Sequence, residues 1–266
     1  MLIAQISDLH LRAGRAPAYR RVDTAHYLEQ AVACLNGLDP RPDLVVATGD
    51  LVDAGSEDEY ETLRAILADM RLPLLLLPGN HDGRAGLRAV FADHAYLRQD
   101  PEFCHYVVED HPIRLICLDT QVPGRTHGEL CARRLAWLED RLRERPRAPT
   151  MIFMHHPPFR TGIDHMDSLG LNAGAEQLAA LVAANQQIER IACGHLHRPI
   201  TRRWAGTVVM TAPSTAHQIA LDLHQGTRAA FVMEPPGMLL HHWSEGGGLV
   251  THLLPTGDYP GPFPFH

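Results

Sequence analysis

The sequence has few of the features that would direct a protein to a membrane, to nucleic acid or into a secretory route. Its apolar runs, such as Leu72 to Leu77, are far shorter than the roughly 20 residues that span a bilayer. The formal net charge is -7, which gives no basic surface for nucleic acid. The first residues lack the basic segment of a signal peptide and instead predict a strand. We therefore expect a cytoplasmic protein that contacts no membrane and for which nucleic acid is a disfavoured partner.

Cysteine is also scarce, and its spacing is uninformative for metal binding. The five cysteines form no CxxC pair and mostly lie in apolar stretches; they are Cys34, Cys104, Cys117, Cys131 and Cys193. This pattern favours reduced, buried thiols over disulfides or a zinc site. With 266 residues, of which 45% are hydrophobic and 21% are charged, the chain can build one large core. We expect residues 1–266 to form a single domain.

Short apolar strands alternate with amphipathic helices over the first two thirds of the sequence. The predicted strands are Leu2 to Ile6, Leu44 to Thr48, Leu74 to Leu77, His105 to Glu109, Ile113 to Leu118, Thr150 to Met154 and Arg190 to Cys193. The predicted helices are Thr24 to Leu38, one from a Ser56/Glu59 capping box to Met70, Arg133 to Arg143 and Gly174 to Ala184. This order predicts an α/β fold with parallel strands and right-handed crossovers.

The pattern changes after residue 202. Four antiparallel strands are predicted, at Thr207 to Thr211, Arg228 to Met233, Met238 to Trp243 and Leu249 to Leu253. Residues 202–253 are either the last strands of a second sheet or a small β cap that covers the site or joins copies into a dimer or larger homo-oligomer. The proline-rich tail from Tyr259 to His266 cannot form a helix or an inner strand. It is predicted to pack through its aromatic residues or to be a loose end.

Polar side chains collect where the predicted strands end. The residues concerned are Asp8, His10, Asp50, Asn80, His81, Asp82, His155, His156, His195 and His197. In an extended chain, residues two apart point the same way, so Asp8 and His10 are expected to face one point. Ligands of open α/β sheets bind beyond the carboxyl ends of the strands. The sequence therefore predicts one site to which five strand ends contribute.

The residue types in this set favour transition metals. Two carboxylates, one amide oxygen and four or five imidazoles, without thiolate, suit Fe, Mn, Zn or Co better than Ca or Mg. The set is too large for one tetrahedral zinc, whereas two ions roughly 3.5–4 Å apart would use it fully. Asn80 is then a neutral ligand. Two divalent ions, two carboxylates and one hydroxide leave one positive charge, which matches a phosphodiester monoanion better than a monoester dianion.

Five blocks of the sequence resemble those of the calcineurin-like metallophosphoesterases, over about residues 1–200. They are Asp8-x-His10, Gly49-Asp50-x-x-Asp53, Gly79-Asn80-His81-Asp82, the segment with His155, and Gly194-His195-x-His197. The stretches "ISDLH", "PGNHD", "MHHPP" and "CGHLHRP" are most similar to bacterial class III cyclic nucleotide phosphodiesterases and related glycerophosphodiesterases. The resemblance implies a four-layer α/β/β/α sandwich of two mixed sheets flanked by helices.

The resemblance also implies roles for individual residues. One metal would be bound by Asp8, His10, Asp50 and His197, and the other by Asp50 as the bridge, Asn80, His155 and His195. His81 resembles the histidine that contacts the scissile phosphate and so stabilises charge or assists leaving-group departure. Asp82 would orient His81. His156 and His217 either contact the substrate or only shape their loops.

The activity implied is that of a dinuclear phosphodiesterase, in which a metal-bound hydroxide attacks phosphorus in line. The expected substrates are small phosphodiesters, namely cyclic nucleotides or glycerophosphodiesters. Protein Ser/Thr phosphatases of the superfamily carry an arginine at the position of Ala54, which counts against that branch. A phosphomonoesterase, a nuclease and a non-catalytic scaffold that binds proteins are the alternatives.

Overall fold

The short apolar segments form the strands of two main β-sheets in a computed structural model, which describes residues 1–265. The strands are β1 (Leu2–Ile6), β2 (Leu44–Thr48), β3 (Leu74–Leu77), β4 (Tyr106–Val108), β5 (Arg114–Leu118), β6 (Gly128–Glu129), β7 (Thr150–Met154), β8 (Leu171–Ala173), β9 (Ile188–Cys193), β10 (Thr201–Trp204), β11 (Thr207–Thr211), β12 (Gln218–Ile219), β13 (Phe231–Val232), β14 (Gly237–Ser244) and β15 (Gly248–Pro255). The helices are α1 (Thr24–Gly37), α2 (Glu57–Leu67), α3 (Arg84–Val90), α4 (Ala132–Glu144), α5 (Asp164–Asp167) and α6 (Ala175–Ala184), with 3-10 turns at Ala13–Arg15 and Ala95–Arg98.

Both main sheets are mixed. The first has the order β15-β14-β1-β2-β3, in which β1, β2 and β3 are parallel and the β14–β15 hairpin is antiparallel to β1. The second has the order β10-β11-β9-β7-β5-β4, with four parallel inner strands and an antiparallel strand at each edge. Two smaller pairs, β6–β8 and β12–β13, lie outside these sheets.

Alternate residues of the second sheet face two different cores. In β7, Met151 and Phe153 belong to the core shared with the first sheet. Ile152 and Met154 instead pack in a second core with Leu138 of α4 and with α6. Strands β5 and β7 are covered on both faces, so all of their residues are buried, as expected for inner parallel strands. The layers are therefore helix, sheet, sheet and helix, which confirms the predicted fold class.

The start of α2 follows the predicted capping pattern. Ser56 accepts a hydrogen bond from the backbone N–H of Glu59, whose side chain accepts from the N–H of Ser56 in return. This reciprocal pair satisfies two N–H groups that a helix otherwise leaves without partners. Tyr60 and Leu63 are consequently held on the buried face of α2. The helix ends at Leu67, three residues before the predicted end at Met70.

The segment after residue 202 differs from its prediction. Thr207–Thr211 pairs antiparallel with β10, but its other neighbour, β9, is parallel. The predicted strand from Arg228 to Met233 is wrong except at Phe231–Val232, because Arg228, Ala229 and Ala230 have no regular secondary structure. The strands of residues 202–253 mainly complete the two main sheets. A role of this segment in oligomer formation stays a prediction.

The tail lies at the surface as far as it is described. Tyr259, Phe263 and Phe265 are 57%, 75% and 99% exposed, which contradicts packing by these aromatic residues. His266, the last residue of the predicted tail, lies outside the described residues. Within the described residues the five cysteines are free; Cys104, Cys117 and Cys193 are buried as predicted, whereas Cys34 and Cys131 are only half-buried. Within residues 1–265, none of the helices is long and apolar enough to cross a membrane.

Candidate metal centre

The polar residues predicted from the strand ends lie together where the carboxyl ends of β1, β2, β3, β7 and β9 meet. Eight of them are buried, namely Asp8, His10, Asp50, Asp82, His155, His156, His195 and His197. Asn80 and His81 are only partly buried. Solvent therefore reaches this cluster on the side of Asn80 and His81.

Five of these residues have a left-handed backbone conformation, which differs from the predicted extended geometry. The φ angles are 55° for Asp8, 46° for His10, 49° for Asp50, 73° for His195 and 48° for His197. Such conformations cost roughly 1–3 kcal/mol each and persist at functional sites, where the surrounding structure imposes them. The backbone N–H of Asp8 donates to Gly49 O at 3.0 Å, and that of His10 donates to Asp50 O at 2.9 Å. These bonds between the two turns hold Asp8, His10 and Asp50 against each other.

Two glycines permit this close approach. A Cβ atom on Gly79 would overlap with the Asp50 carboxylate. A Cβ atom on Gly49 would lie 2.5 Å from His155 Nδ1, and the φ of Gly49 is 97°. Both positions thus require glycine, because any side chain would displace Asp50 or His155.

One half of the cluster is formed around His10 and His197. Their Nε2 atoms are 3.1 Å apart. His197 Nδ1 lies 3.0 Å from His217 O, and donation of its proton there leaves Nε2 as an acceptor. Asp8 Oδ1 is 3.6 Å from His197 Nε2, and Asp50 Oδ2 is 3.7 Å from His10 Nε2. Two carboxylate oxygens and two imidazole nitrogens that lie this close together could ligate one cation.

The other half of the cluster is formed around His155 and His195. His155 Nδ1 lies 2.8 Å from Thr48 O, which favours the tautomer whose free Nε2 can bind a metal. That Nε2 atom is 3.2 Å from Asn80 Oδ1 and 3.4 Å from Asp50 Oδ2. His195 Nε2 is buried and has no hydrogen-bond partner among residues 1–265. Asp50 thus contacts both halves, and the described His and Asp groups could hold metal ions.

Burial and mutual charge shift the pKa values of this cluster. Burial raises the pKa of Asp8 to about 6 and lowers the pKa of His195 to about 3. Burial also disfavours the charged form of His155, but the carboxylates of Asp50 and Asp8 outweigh it and raise the pKa of His155 to about 9. Burial raises the pKa of Asp50, yet the charge of His155 and the hydrogen bond from it leave that pKa well below its usual value. A metal that binds here must displace the proton of His155.

The structure gives His81 and Asp82 different partners from those predicted. His81 Nδ1 lies 2.7 Å from the backbone oxygen of Asp53, and its ring is 4.7 Å from that of His10. The carboxylate of Asp82 accepts hydrogen bonds from the N–H groups of Leu51 and Gly79, at 3.1 and 2.8 Å. It also accepts one from the hydroxyl of Tyr60 at 2.8 Å. The prediction that Asp82 orients His81 is therefore wrong, because the carboxylate of Asp82 is buried and bonded to Leu51, Gly79 and Tyr60 instead.

Asp53 is a residue of this cluster that the site prediction omitted. Its Oδ1 atom is 3.5 Å from His10 Nδ1, and its backbone oxygen fixes His81. The sequence contained a signal for it, since Asp53 is the last residue of the Gly49-Asp50-x-x-Asp53 block.

His156 and His217 are buried beside the cluster. His156 Nδ1 lies 2.8 Å from Thr120 Oγ1, and its ring is 4.7 Å from that of His195. The ring of His217 is 4.7 Å from that of His197 and contacts the ring of Phe231 at 5.2 Å. Both positions are compatible with either of the predicted roles.

Comparison of the sequence with known protein families shows to which family the chain belongs. Residues 1–199 match the family described as calcineurin-like phosphoesterase. The chain belongs to this family. The match includes all the strand ends that contribute to the metal centre.

Curated relatives match along most or all of the chain. The chain is 40% identical over 266 residues to a probable glycerophosphodiester phosphodiesterase GpdQ of Arcobacter nitrofigilis, covering 100% of this chain and 97% of the relative. It is 36% identical to the glycerophosphodiester phosphodiesterase GpdQ of Enterobacter lignolyticus, with coverages of 99% and 94%. It is 33% identical to the 3',5'-cyclic adenosine monophosphate phosphodiesterase CpdA of Escherichia coli K12, with coverages of 81% and 76%.

Solved structures of low sequence identity share the fold. A dimetal phosphatase from Danio rerio superposes with a TM-score of 0.65 at 16% identity, covering 97% of this chain and 99% of that one. A purple acid phosphatase from yellow lupin superposes with a TM-score of 0.70 at 14% identity, with coverages of 97% and 52%. At these identities the likeness establishes the fold alone.

Proposed function

We propose that the protein is a dinuclear metal-dependent phosphodiesterase that hydrolyses small phosphodiesters. The observation that carries this proposal is the pair of facing acceptor groups around Asp50. One group contains Asp8, His10 and His197, and the other contains Asn80, His155 and His195. Each group offers oxygen and imidazole nitrogen atoms to a cation of the Fe, Mn, Zn or Co type.

Each residue of the cluster has its own role in this proposal. Asp50 would be shared by the two metal ions; Asp8, His10 and His197 would hold one of them, and Asn80, His155 and His195 would hold the other. When bound, two such ions activate water for attack on phosphorus and neutralise charge on the phosphoryl oxygens. His81 lies on the solvent side of the cluster, where its ring can contact the phosphate. Thr48 O and His217 O keep the rings of His155 and His197 in the tautomers that bind metal.

Glycerophosphodiesters are the substrate class that we propose first. Two relatives with glycerophosphodiester phosphodiesterase in their names match nearly the whole chain and nearly their own whole length. Cyclic nucleotides are the second candidate, because a relative named for cyclic AMP matches at 33% identity but over less of each chain. The charge balance of two divalent ions, the carboxylates of Asp8 and Asp50, neutral Asn80 and one hydroxide favours a monoanionic diester in both cases.

A kinetic panel tests this function. The purified full chain, loaded with Mn²⁺, is assayed on a glycerophosphodiester, cyclic AMP, bis(p-nitrophenyl) phosphate, p-nitrophenyl phosphate and plasmid DNA. We expect the highest kcat/KM on the glycerophosphodiester, and complete loss of activity on prior removal of metal with a chelator. Re-addition of Mn²⁺, Co²⁺, Zn²⁺ or Fe²⁺ should restore activity.

The remaining outcomes of the panel identify the alternatives. Preference for p-nitrophenyl phosphate would indicate a phosphomonoesterase, and cleavage of plasmid DNA would indicate a nuclease. A purified chain that binds no metal and cleaves no phosphate ester would support the scaffold. Any of these results contradicts the proposal.

Replacing Asn80 by alanine should remove one metal without unfolding the chain. Asn80 Oδ1 is 3.2 Å from His155 Nε2, and Asn80 is partly exposed, so its loss leaves little buried space. We expect the Asn80→Ala variant to bind one Mn²⁺ ion tightly instead of two, and kcat to fall by at least about 10-fold, the lower limit for changes around metal ligands. Elemental analysis after dialysis measures the metal content. Unchanged activity with two ions bound would contradict the assignment of Asn80.

A further inference from the structure

Gln5 carries a buried amide at the interface between the two sheets. It belongs to β1, its exposure is 0%, and each of its polar atoms has a partner. Its Nε2 group donates to Thr48 Oγ1 at 2.9 Å and to Cys193 O at 3.0 Å. Its Oε1 atom is 3.1 Å from His241 Nε2. One side chain thus ties β1 to β2 and β14 of its own sheet and to β9 of the other sheet.

On the side of Gln5 that faces away from the proposed metal centre, a series of hydrogen bonds fixes the orientation of the Gln5 amide. Arg190 Nη1 donates to Thr251 Oγ1 at 2.8 Å, so the hydroxyl proton of Thr251 is free to point to His241 Nδ1, which is 2.8 Å away. Burial, aided by the charge of Arg190, lowers the pKa of His241 to about 3, so the ring is neutral and carries one proton. That proton must lie on Nε2 and be donated to Gln5 Oε1.

On the other side of Gln5, the same series of hydrogen bonds continues to the proposed metal centre. Thr48 Oγ1 accepts from Gln5 and donates to Ser7 Oγ at 2.9 Å. The backbone oxygen of Thr48 is the acceptor for His155 Nδ1. The attachment points of Gln5 therefore lie next to the turns that carry ligands, since Thr48 and Cys193 each precede a glycine and a ligand residue.

From these contacts we infer that Gln5 and Thr48 are positioning residues of the metal centre. Gln5 holds the ends of β2 and β9 in register across the sheet interface. Thr48 presents its carbonyl to His155 so that the Nε2 atom of His155 faces the metal. This inference rests on the proposed function, because it takes His155 and His195 to be ligands.

If Gln5 and Thr48 only stabilised the fold, the expected results would differ from those for residues that position the metal ligands. Loss of a buried hydrogen bond destabilises the fold in either case. Only a positioning role also weakens the binding of metal to chains that remain folded, because disordered ligands must be ordered when the metal binds. Metal affinity and the stability of the metal-free chain must therefore be measured separately.

The experiment compares four variants of the full chain with the unchanged protein. Gln5→Met removes the amide at similar volume, Thr48→Val removes the hydroxyl, and Thr48→Ser restores it. Thr150→Val is the matched control, because Thr150 Oγ1 makes one hydrogen bond, to Ala148 O at 2.8 Å, at the opposite end of β7 from His155. Calorimetric titration of each metal-free chain with Mn²⁺ gives the affinity, and thermal unfolding gives Tm.

We expect Mn²⁺ to bind about 10–100-fold more weakly to Gln5→Met and Thr48→Val, the range found for groups that orient metal ligands. Thr48→Ser should bind as the unchanged protein does, and Thr150→Val should lose only stability. Normal Mn²⁺ affinity in a folded Thr48→Val variant with lowered Tm would overturn the inference. If Gln5→Met does not fold, the comparison of Thr48→Val with Thr48→Ser still tests the inference. Absence of Mn²⁺ binding by the unchanged protein would instead contradict the proposed function.

Discussion

The Asp50→Asn substitution is expected to have the largest effect on activity, lowering kcat/KM for bis(p-nitrophenyl) phosphate by more than about 100-fold. Groups that only orient metal ligands contribute about 10–100-fold, and a ligand shared by two ions should exceed that. Asp50 contacts both halves of the cluster, since its Oδ2 atom is 3.7 Å from His10 Nε2 and 3.4 Å from His155 Nε2. Asparagine keeps the shape but loses the negative charge between two cations.

Metal analysis determines whether this loss has the proposed cause. We expect the Asp50→Asn variant to retain at most one tightly bound ion after dialysis, with a circular dichroism spectrum like that of the unchanged protein. Asp43→Asn is the control, because Asp43 is exposed and its carboxylate accepts only a backbone hydrogen bond from Leu2 in this structure. That variant should retain full activity. Two bound ions together with normal kcat/KM in Asp50→Asn would exclude Asp50 as the bridge.

The sequence was sufficient to predict the strands that support the candidate metal centre. β1, β2, β3 and β7 have the predicted bounds, because buried parallel strands are continuous apolar runs that end abruptly at a polar turn. The convergence of the polar residues was also predictable, because parallel strands bring their carboxyl ends to one edge of the sheet. Short strands such as β6 and β8 were not predicted, because their pairing depends on tertiary contacts instead of local pattern.

The geometry inside the turns could not be predicted from residue spacing. Asp8 and His10 converge through two left-handed conformations instead of the alternation of an extended chain. Such conformations are costly for residues other than glycine and arise only when surrounding contacts impose them. The contacts of Asp82 likewise depend on Tyr60, which comes from α2 and is distant in sequence. Adjacency in sequence suggested that Asp82 holds His81, whereas the turn points the two side chains in different directions.

Replacing His81 by alanine is the second change with a large expected effect, and it should lower kcat without loss of metal. General acid catalysis contributes about 10²–10⁴-fold, so we expect kcat for a glycerophosphodiester to fall by about 100-fold or more. The backbone N–H of His81 donates to Asp50 Oδ1 at 2.9 Å, and alanine retains this bond, so the bridge should stay in place. Elemental analysis and steady-state kinetics are the measurements, with exposed His242→Ala as the control.

The leaving group distinguishes the two roles proposed for His81. An alkoxide leaving group needs a proton, whereas p-nitrophenolate leaves readily without one. If His81 donates that proton, the His81→Ala variant should lose much less activity on bis(p-nitrophenyl) phosphate than on a glycerophosphodiester. Equal losses on the two substrates would instead indicate that His81 stabilises charge on the phosphoryl oxygens. Loss of a metal ion from the His81→Ala variant would contradict both roles and make His81 a ligand.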